Sequence, residues 1–455
     1  MLTLEAEPDR DARVFFDIDL CKTDFSGGAV VAISGGGDST ALLVLANDFF
    51  CTHWPDAKLV AVTVDHALRP ASRDEALKVG AFCAGLGIAH HIQVWEGPKP
   101  QSGLLAAARE ARYRLLADVA RAEGVGMVLT GHTSDDQAET VTMRRERGVA
   151  MGGEERGLAG MAPATLFDGD VWIVRPLLGA RREALRALLR ERKIGWIEDP
   201  TNEDHAYERP RVRSAIDEKG FVSAMRAAGE AAHKRCDLDA RTAALIGGHA
   251  SRPVAGLIRL NPAFLAEQDR AAAIHALRLL LAAAGGLQMP PDTERTASLL
   301  DGLTEGTVRR ATLARALVDA RRDGVFLLRE ARGLPEPMRA TDGLIWDGRY
   351  RIALQDGDGA VSIRAGGGEG FVAEALPPDV PESLARAALA TGPIAIPSGK
   401  NVALVPLVAP FARFLPGFDL ESAGALAELA GASPVPQPPM PPVPPFVPGK
   451  DIGRP

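Results

Sequence analysis

The chain has 455 residues, 46% hydrophobic and 24% charged, an ordinary globular composition with length for several domains. Its formal net charge of −7 excludes nucleic-acid binding through a global positive field and leaves only a local basic surface for that purpose. The best candidate for a membrane span, residues 271–287, is interrupted by His275 and Arg278, so no membrane partner is expected. The opening MLTLEAEPDR lacks the basic flank and apolar core of a secretion signal. Cys21, Cys51, Cys83 and Cys236 form no CxxC pair, which argues against structural zinc and disulfides and for a reducing, cytoplasmic location.

In chain order, residues 1–27 form an N-terminal extension, and apolar runs then alternate with helical patterns. GAVVAI (28–33), LVAVTV (59–64), HHIQVW (90–95) and VGMVLTG (125–131) are predicted strands, with helices over 39–50, 72–85 and 104–123 between them. That alternation predicts an α/β fold, a doubly wound parallel sheet covered on both faces, with ligands at the carboxyl ends of the strands. The domain so defined spans 28–215. Residues 216–335 are rich in alanine, leucine and arginine with helical periodicity, including the segment VRRATLARALVDARRDG, and predict a small helical domain. WDGRYRIAL and VSIRAG have period two and predict a small β-containing domain over 336–430. The remainder, 431–455, holds ten of the 33 prolines and is expected to be an extended, disordered tail.

Two strand ends carry chemistry. SGGGDS (Ser34, Gly35, Gly36, Gly37, Asp38, Ser39) lets backbone N–H groups wrap an anion at a helix start. It lacks the lysine of a Walker A loop. A tight turn capped by Asp38 or Ser39 is the plainer reading, but three glycines and two serines around one carboxylate favour phosphate. In GHTSDDQAET (131–140), Glu139 shares a helical face with Asp135 and Asp136. Ser134-x-x-Gln137 has the form of a capping box, so capping and ligand binding both stand on local grounds. Beside a phosphate loop these acids suit magnesium. The stretch 181–193 carries six basic and two acidic residues, and Arg209, Arg211 and Arg213 follow. Arg109 and Arg112 lie on one side of the helix predicted over 104–123. In an acidic chain, two basic segments close together suggest a surface for nucleic-acid phosphate. On a helix, Leu185, Leu188 and Leu189 would face inward and Arg182, Arg186, Arg190 and Lys193 outward.

SGGGDS is the signature of N-type ATP-pyrophosphatases, the PP-loop superfamily. With VDHALRP (64–70), Gln101 and AREARYRLL (108–116), GHTSDDQAET, RGLAGM (156–161), RPLL (175–178), WIEDPTNED (196–204) and RPRVR (209–213) in this order, the chain resembles the tRNA(Ile)-lysidine synthetases over residues 28–215. The resemblance implies a Rossmann-like PP-loop fold and an ATP-dependent ligase. Its members adenylate the C2 carbonyl oxygen of the wobble cytidine of CAU-anticodon isoleucine tRNA, releasing pyrophosphate, and then join free lysine at C2, releasing AMP. By the same resemblance ATP is held by Ser34–Ser39, and magnesium by Asp38 and Asp136. Asp38, Asp135, Asp136 and Glu139 are catalytic. Arg109, Arg112, Arg209 and Arg213 contact phosphate or tRNA; the basic helix adds Arg186 and Arg190 as expected tRNA contacts, and a second copy of the chain is a candidate partner. The chain departs from the family pattern at Thr133 and Pro210, where histidine and asparagine are usual, and RAGGGEG (364–370) replaces a Gly-Gly-Arg element.

Rival readings face the same residues. A PP-loop tRNA thiolase needs cysteines near the site, and none occurs in these motifs. A small-molecule adenylating ligase has no use for the basic segments. A tRNA-binding protein without catalysis has no use for intact SGGGDS and DDQAE.

Overall fold

The computed structural model describes Leu20 and residues 23–67, 72–151, 155–198, 208–354, 361–367, 376–396 and 402–440. It contains two units, Met1–Cys236 with Pro416–Phe418 and Gln437–Pro455, and Asp237–Leu415 with Asp419–Pro436. Most of the N-terminal extension, Cys21, residues 68–70 of VDHALRP, 199–204 of WIEDPTNED, 368–370 of RAGGGEG and the tail from 441 lie outside the described residues.

In the first unit, strands β1 (Ala29–Ala32), β2 (Leu59–Asp65), β3 (Ala89–Val94), β4 (Met127–Thr130), β5 (Ala164–Phe167) and β6 (Val171–Val174) alternate at first with helices α1 (Gly37–His53), α2 (Ser72–Gly85), α3 (Leu104–Glu123) and α4 (Ser134–Met151). These six strands are ordered β5-β6-β4-β1-β2-β3. β1 pairs in parallel with β2 and β4, β2 with β3, and β4 with β6, while β5 runs antiparallel to β6. The expected parallel sheet is present. Val30 and Val31 are fully buried, as are Leu42 and Leu43 of α1; a strand covered on both faces reads as a continuous apolar run. Because β1 lies between β2 and β4, the chain winds in opposite senses on its two sides. The crevice that results opens at the carboxyl ends of β1 and β4, where SGGGDS and GHTSDDQAET begin. Helices α5 (Arg182–Glu191), α6 (Glu208–Ala215) and α7 (Glu218–His249) follow. Leu185, Leu188 and Leu189 of α5 are buried, as its periodicity requires.

The second unit departs from expectation in two segments of the range expected to be helical, 250–260 and 310–329, which together form a five-stranded sheet. Between β7 (Ala250–Val254), β8 (Leu257–Leu260), helices α8 (Arg270–Gly285) and α9 (Thr293–Thr304) and residue 330, the chain forms strands β9 (Arg310–Leu313), β10 (Ala316–Arg321) and β11 (Gly324–Arg329). The sheet runs β7-β8-β11-β10-β9. VRRATLARALVDARRDG, expected to be helical, is therefore largely a hairpin. Ala314 and Arg315 both adopt positive φ, 54° and 60°, the backbone that a two-residue turn between twisted strands requires. Tertiary burial overrides the helix preference of Ala, Leu and Arg. Val318, Val325 and Leu327 enter one core with Leu277 and Leu280 of α8. Phe326 and Leu328, pointing the other way, enter a second with Leu257. Two three-stranded sheets, ordered β12-β15-β16 and β13-β14-β17, follow from β12 (Met338–Arg339), β13 (Ile345–Trp346), β14 (Tyr350–Leu354), β15 (Ser362–Ala365), β16 (Pro393–Ile396) and β17 (Val402–Pro406). The described start of the proline-rich tail is anchored within the first unit. Thr23 Oγ1 donates to Pro439 O at 2.8 Å, and Met440 is buried.

Candidate active site

The loop after β1 is shaped by its own serines. Ser39 Oγ donates to Gly36 O at 3.0 Å and accepts from Ser34 N at 3.1 Å, and the two hydroxyls lie 3.1 Å apart. Gly35 has φ +86°, and a Cβ there would lie 2.7 Å from Ile197 Cδ1 and 2.9 Å from Val79 Cγ2; only glycine fits. Ile197 N donates to Gly35 O at 2.8 Å, which docks residues 196–198 against the loop. α1 begins here, so its first N–H groups face the crevice without intrahelical acceptors. Gly131 closes the other side, since a Cβ would lie 3.0 Å from Asp38 O.

The start of α4 divides its acids between two tasks. The capping pair is Thr133 with Asp136, not Ser134 with Gln137. Asp136 Oδ2 accepts from Thr133 N at 2.8 Å and from Thr133 Oγ1 at 3.0 Å. Thr133 is fully buried, so the residue standing where histidine is usual fixes this carboxylate. Gln137 instead bonds the main chain of Met161 through both amide atoms. Asp136 Oδ1 accepts from Arg182 Nη2 at 2.9 Å and Arg209 Nη2 at 3.0 Å. Glu139, with a side chain 2% exposed, accepts at 2.7 Å from Nε of both Arg209 and Arg213. Burial alone would raise the Glu139 carboxyl, but the hydrogen bonds from Arg213 and Arg209 and the charge of Arg182 outweigh it and hold it below its ordinary value.

Asp38 is placed differently. Its Oδ2 accepts from Arg182 Nε at 3.2 Å, while its buried Oδ1 has no hydrogen-bond partner. Burial raises this carboxyl above its ordinary value, against the opposing charge of Arg182. Among the described residues no three His, Cys, Asp or Glu side chains gather as a metal cage. One or two carboxylates completed by substrate phosphates is the usual magnesium arrangement, and the unshared Asp38 Oδ1 fits it.

These groups line one cavity of about 550 Å³ with Ser34, Gly36, Gly37, His66, Arg112, His132, Arg186 and Trp196. Of the two α3 arginines, Arg112 lines it and Arg109 does not; they stand 5.4 and 5.1 Å from the Tyr113 ring centre. Burial would raise the Tyr113 phenol, but Arg175, Arg112 and Arg109 pull it down to about 7. Burial first, and these arginines second, hold His132 well below its ordinary value and therefore neutral.

The structure thus brings together Ser34–Ser39, Asp38, Asp136, Arg112, Arg186, Arg209 and Arg213, with Glu139 behind the two arginines. Asp135 does not line this cavity. Its Oδ2 accepts from Arg182 N at 2.7 Å and fixes the start of α5. Arg209 and Arg213, expected on a tRNA surface, are ion-paired inside the site. Arg190 is exposed on α5 and pairs with Glu183 at 2.7 Å. Arg186, expected on the outward basic face, lines the cavity. Arg182, expected on that same face, is the residue that sequence reasoning misplaced. Its partners Asp38, Asp136 and Glu139 lie 43 to 144 positions away, beyond any local pattern.

Residues 18–219 match the PP-loop domain family. A tRNA(Ile)-lysidine synthase of Mesorhizobium japonicum is 52% identical over 95% of this chain and 98% of its own length. One from Rhizobium meliloti is 37% identical over 90% and 93%. Among solved structures, a U34-tRNA thiolase from Methanococcus maripaludis superposes with a TM-score of 0.41 and 18% identity over 48% of this chain and 77% of that one, too loosely to bear on function.

Proposed function

The chain belongs to the tRNA(Ile)-lysidine synthase family and has that activity as an ATP-dependent ligase, and we propose how its cavity divides the reaction. ATP lies along Ser34–Ser39, its phosphates met by the N–H groups at the start of α1 and by the two serine hydroxyls. Asp38 and Asp136 are the proposed magnesium carboxylates; Asp38 Oδ1 has lone pairs to spare, and Asp136 is shared with two arginines. Bound magnesium supplies compensation for phosphate charge.

The substrates are the CAU-anticodon isoleucine tRNA and free lysine. The C2 carbonyl oxygen of the wobble cytidine attacks the α-phosphorus and pyrophosphate leaves. This oxygen, a poor leaving group before, is then lost with AMP when the lysine ε-amine attacks C2. Asp136, with Arg209 and Arg213, provides charges of both signs for a zwitterionic amino acid, while Glu139 holds the two arginines and Asp135 holds α5 in place. Arg109, Arg112, Arg186 and Arg190 are the proposed tRNA phosphate contacts, with Arg186 also serving the nucleotide. Among the described residues no helix is long and apolar enough to cross a membrane, and we place the enzyme in the cytoplasm with its tRNA. The domain boundaries of the sequence reading, 28–215 for catalysis followed by 216–335 and 336–430, stand as part of the same proposal, as does a homodimer.

The observation that carries this reading is the convergence of the phosphate loop, the α4 carboxylate Asp136 and the arginines of α5 and α6 on one cavity. A sulfur-transfer alternative loses support there, because none of the described cysteines lines it. Cys51 is exposed on α1, and burial pushes the Cys83 thiol up to about 11. Incubation of isoleucine tRNA with ATP and lysine, followed by nuclease digestion and mass analysis, tests the proposal. A cytidine gaining one lysine less one water is expected; unmodified or thiolated cytidine refutes it.

A further inference from the structure

The Arg182 guanidinium touches both carboxylates assigned to magnesium. It reaches Asp38 Oδ2 at 3.2 Å and Asp136 Oδ1 at 2.9 Å, and approaches Glu139 Oε1 at 3.4 Å. Its side chain is only 15% exposed, and an arginine guanidinium keeps its charge in proteins. The other members of the cluster do not depend on it equally. Glu139 keeps two shorter bonds from Arg209 and Arg213, and Asp136 keeps Thr133 and Arg209. Arg182 is the side chain that bonds Asp38. The arm is also anchored at its base, since Asp135 accepts from the Arg182 main-chain N–H. The guanidinium therefore starts from a fixed point and ends between the two acids.

We propose that Arg182 is a built-in counter-cation that competes with the divalent metal for Asp38, so that metal enters only in company with ATP phosphates. This inference rests on the nucleotide and magnesium site proposed above. Two cations cannot share Asp38 and Asp136 at this spacing without strong repulsion in a half-buried site. A bare divalent ion gains too little from one free carboxylate oxygen to displace the guanidinium, and among the described residues no further acid, histidine or cysteine completes a cage. An ion carrying triphosphate brings oxygen ligands of its own. It also brings negative charge to which the displaced guanidinium, on the wall of the same cavity, turns. Arg182 is in this sense a positioning residue that enforces joint entry of metal and nucleotide and leaves Asp38 neutralised at other times.

The test is Mn²⁺ binding by the full chain without nucleotide, followed by electron paramagnetic resonance. Arg182→Gln is expected to bind Mn²⁺ about tenfold or more tighter than wild type, the scale of removing an adjacent charge in a site of intermediate dielectric. Asp38→Asn added to Arg182→Gln is expected to abolish the gain. If Arg182→Gln does not fold by circular dichroism, Arg182→Met removes the same charge and carries the same expectation. An affinity unchanged from wild type in the folded neutral variant overturns the inference, as does a gain that survives Asp38→Asn. Lysidine formation by wild type, measured separately, tells this failure from failure of the functional reading. A merely structural Arg182 would lower metal binding on replacement, not raise it.

Discussion

Asp38 and Glu139 lie in one ionic cluster yet should answer opposite ways to loss of charge. Glu139→Gln leaves Arg209 and Arg213 facing a neutral amide in place of a carboxylate that is 2% exposed. Breaking a buried ion pair costs about 3–5 kcal/mol. The two arginine side chains are 40% and 36% exposed and recover some hydration, so about 2–3 kcal/mol is the expected loss. For a unit of this size that lowers Tm by roughly 4–12 °C. Asp38→Asn removes a carboxylate whose folded-state pKa is raised, chiefly by burial. Its ionised form is therefore a net cost above its unfolded value, and neutralising it should leave Tm unchanged or slightly higher at neutral pH. The pH dependence has the same contrast. Glu139, held below its ordinary value, contributes stability that is present above its unfolded pKa and is lost as pH falls through the folded one. Asp38 contributes in the reverse sense, favouring the fold as pH drops through its raised value. Thermal melts of the three proteins at neutral and mildly acidic pH, with pyrophosphate release measured in parallel, check the argument. Both variants should lose activity while only Glu139→Gln loses stability. Equal melting losses in the two, or a Glu139→Gln protein that melts like wild type, would refute it.

Gly35→Ala places a methyl group 2.7 Å from Ile197 Cδ1 at φ +86°; strain of about 1–2 kcal/mol should weaken ATP binding about tenfold, as calorimetry would report. With ATP and tRNA but no lysine, label from the α-phosphate should move to tRNA, and lysine alone should discharge it; discharge by glutamine, ammonia or a sulfur donor would refute the lysine assignment. Arg190→Glu should weaken tRNA binding and reduce the slope of log K against log salt by about one while ATP affinity stays constant. Arg186→Glu should impair both ligands, because Arg186 lines the nucleotide cavity; ATP titrations of the two variants separate these cases.

Much of this enzyme was legible along the chain because its signals are local. An apolar run that ends in SGGGDS and opens a helix specifies a strand, an anion-binding turn and the crevice side of a sheet within about twenty residues. Leu185, Leu188 and Leu189 likewise place α5 by periodicity alone, and all three are buried. What the tertiary structure decided involves residues whose meaning depends on partners far away in sequence. Asp135 and Asp136 are neighbours with the same side chain, yet one secures α5 and the other enters the cavity, because successive helical positions point about 100° apart. Arg182 fits an outward basic stripe as well as an active-site cluster until the position of α5 beside Asp38 is known. The strands at 310–329 escaped helical periodicity for a related reason: alanine, leucine and arginine favour helix in isolation, and only packing of Val318, Val325 and Leu327 against α8 makes the extended form the better burial. Local chemistry determines which groups are available. The approach of segments separated by up to 144 positions determines which charges neutralise one another, and so which carboxylate oxygen stays open.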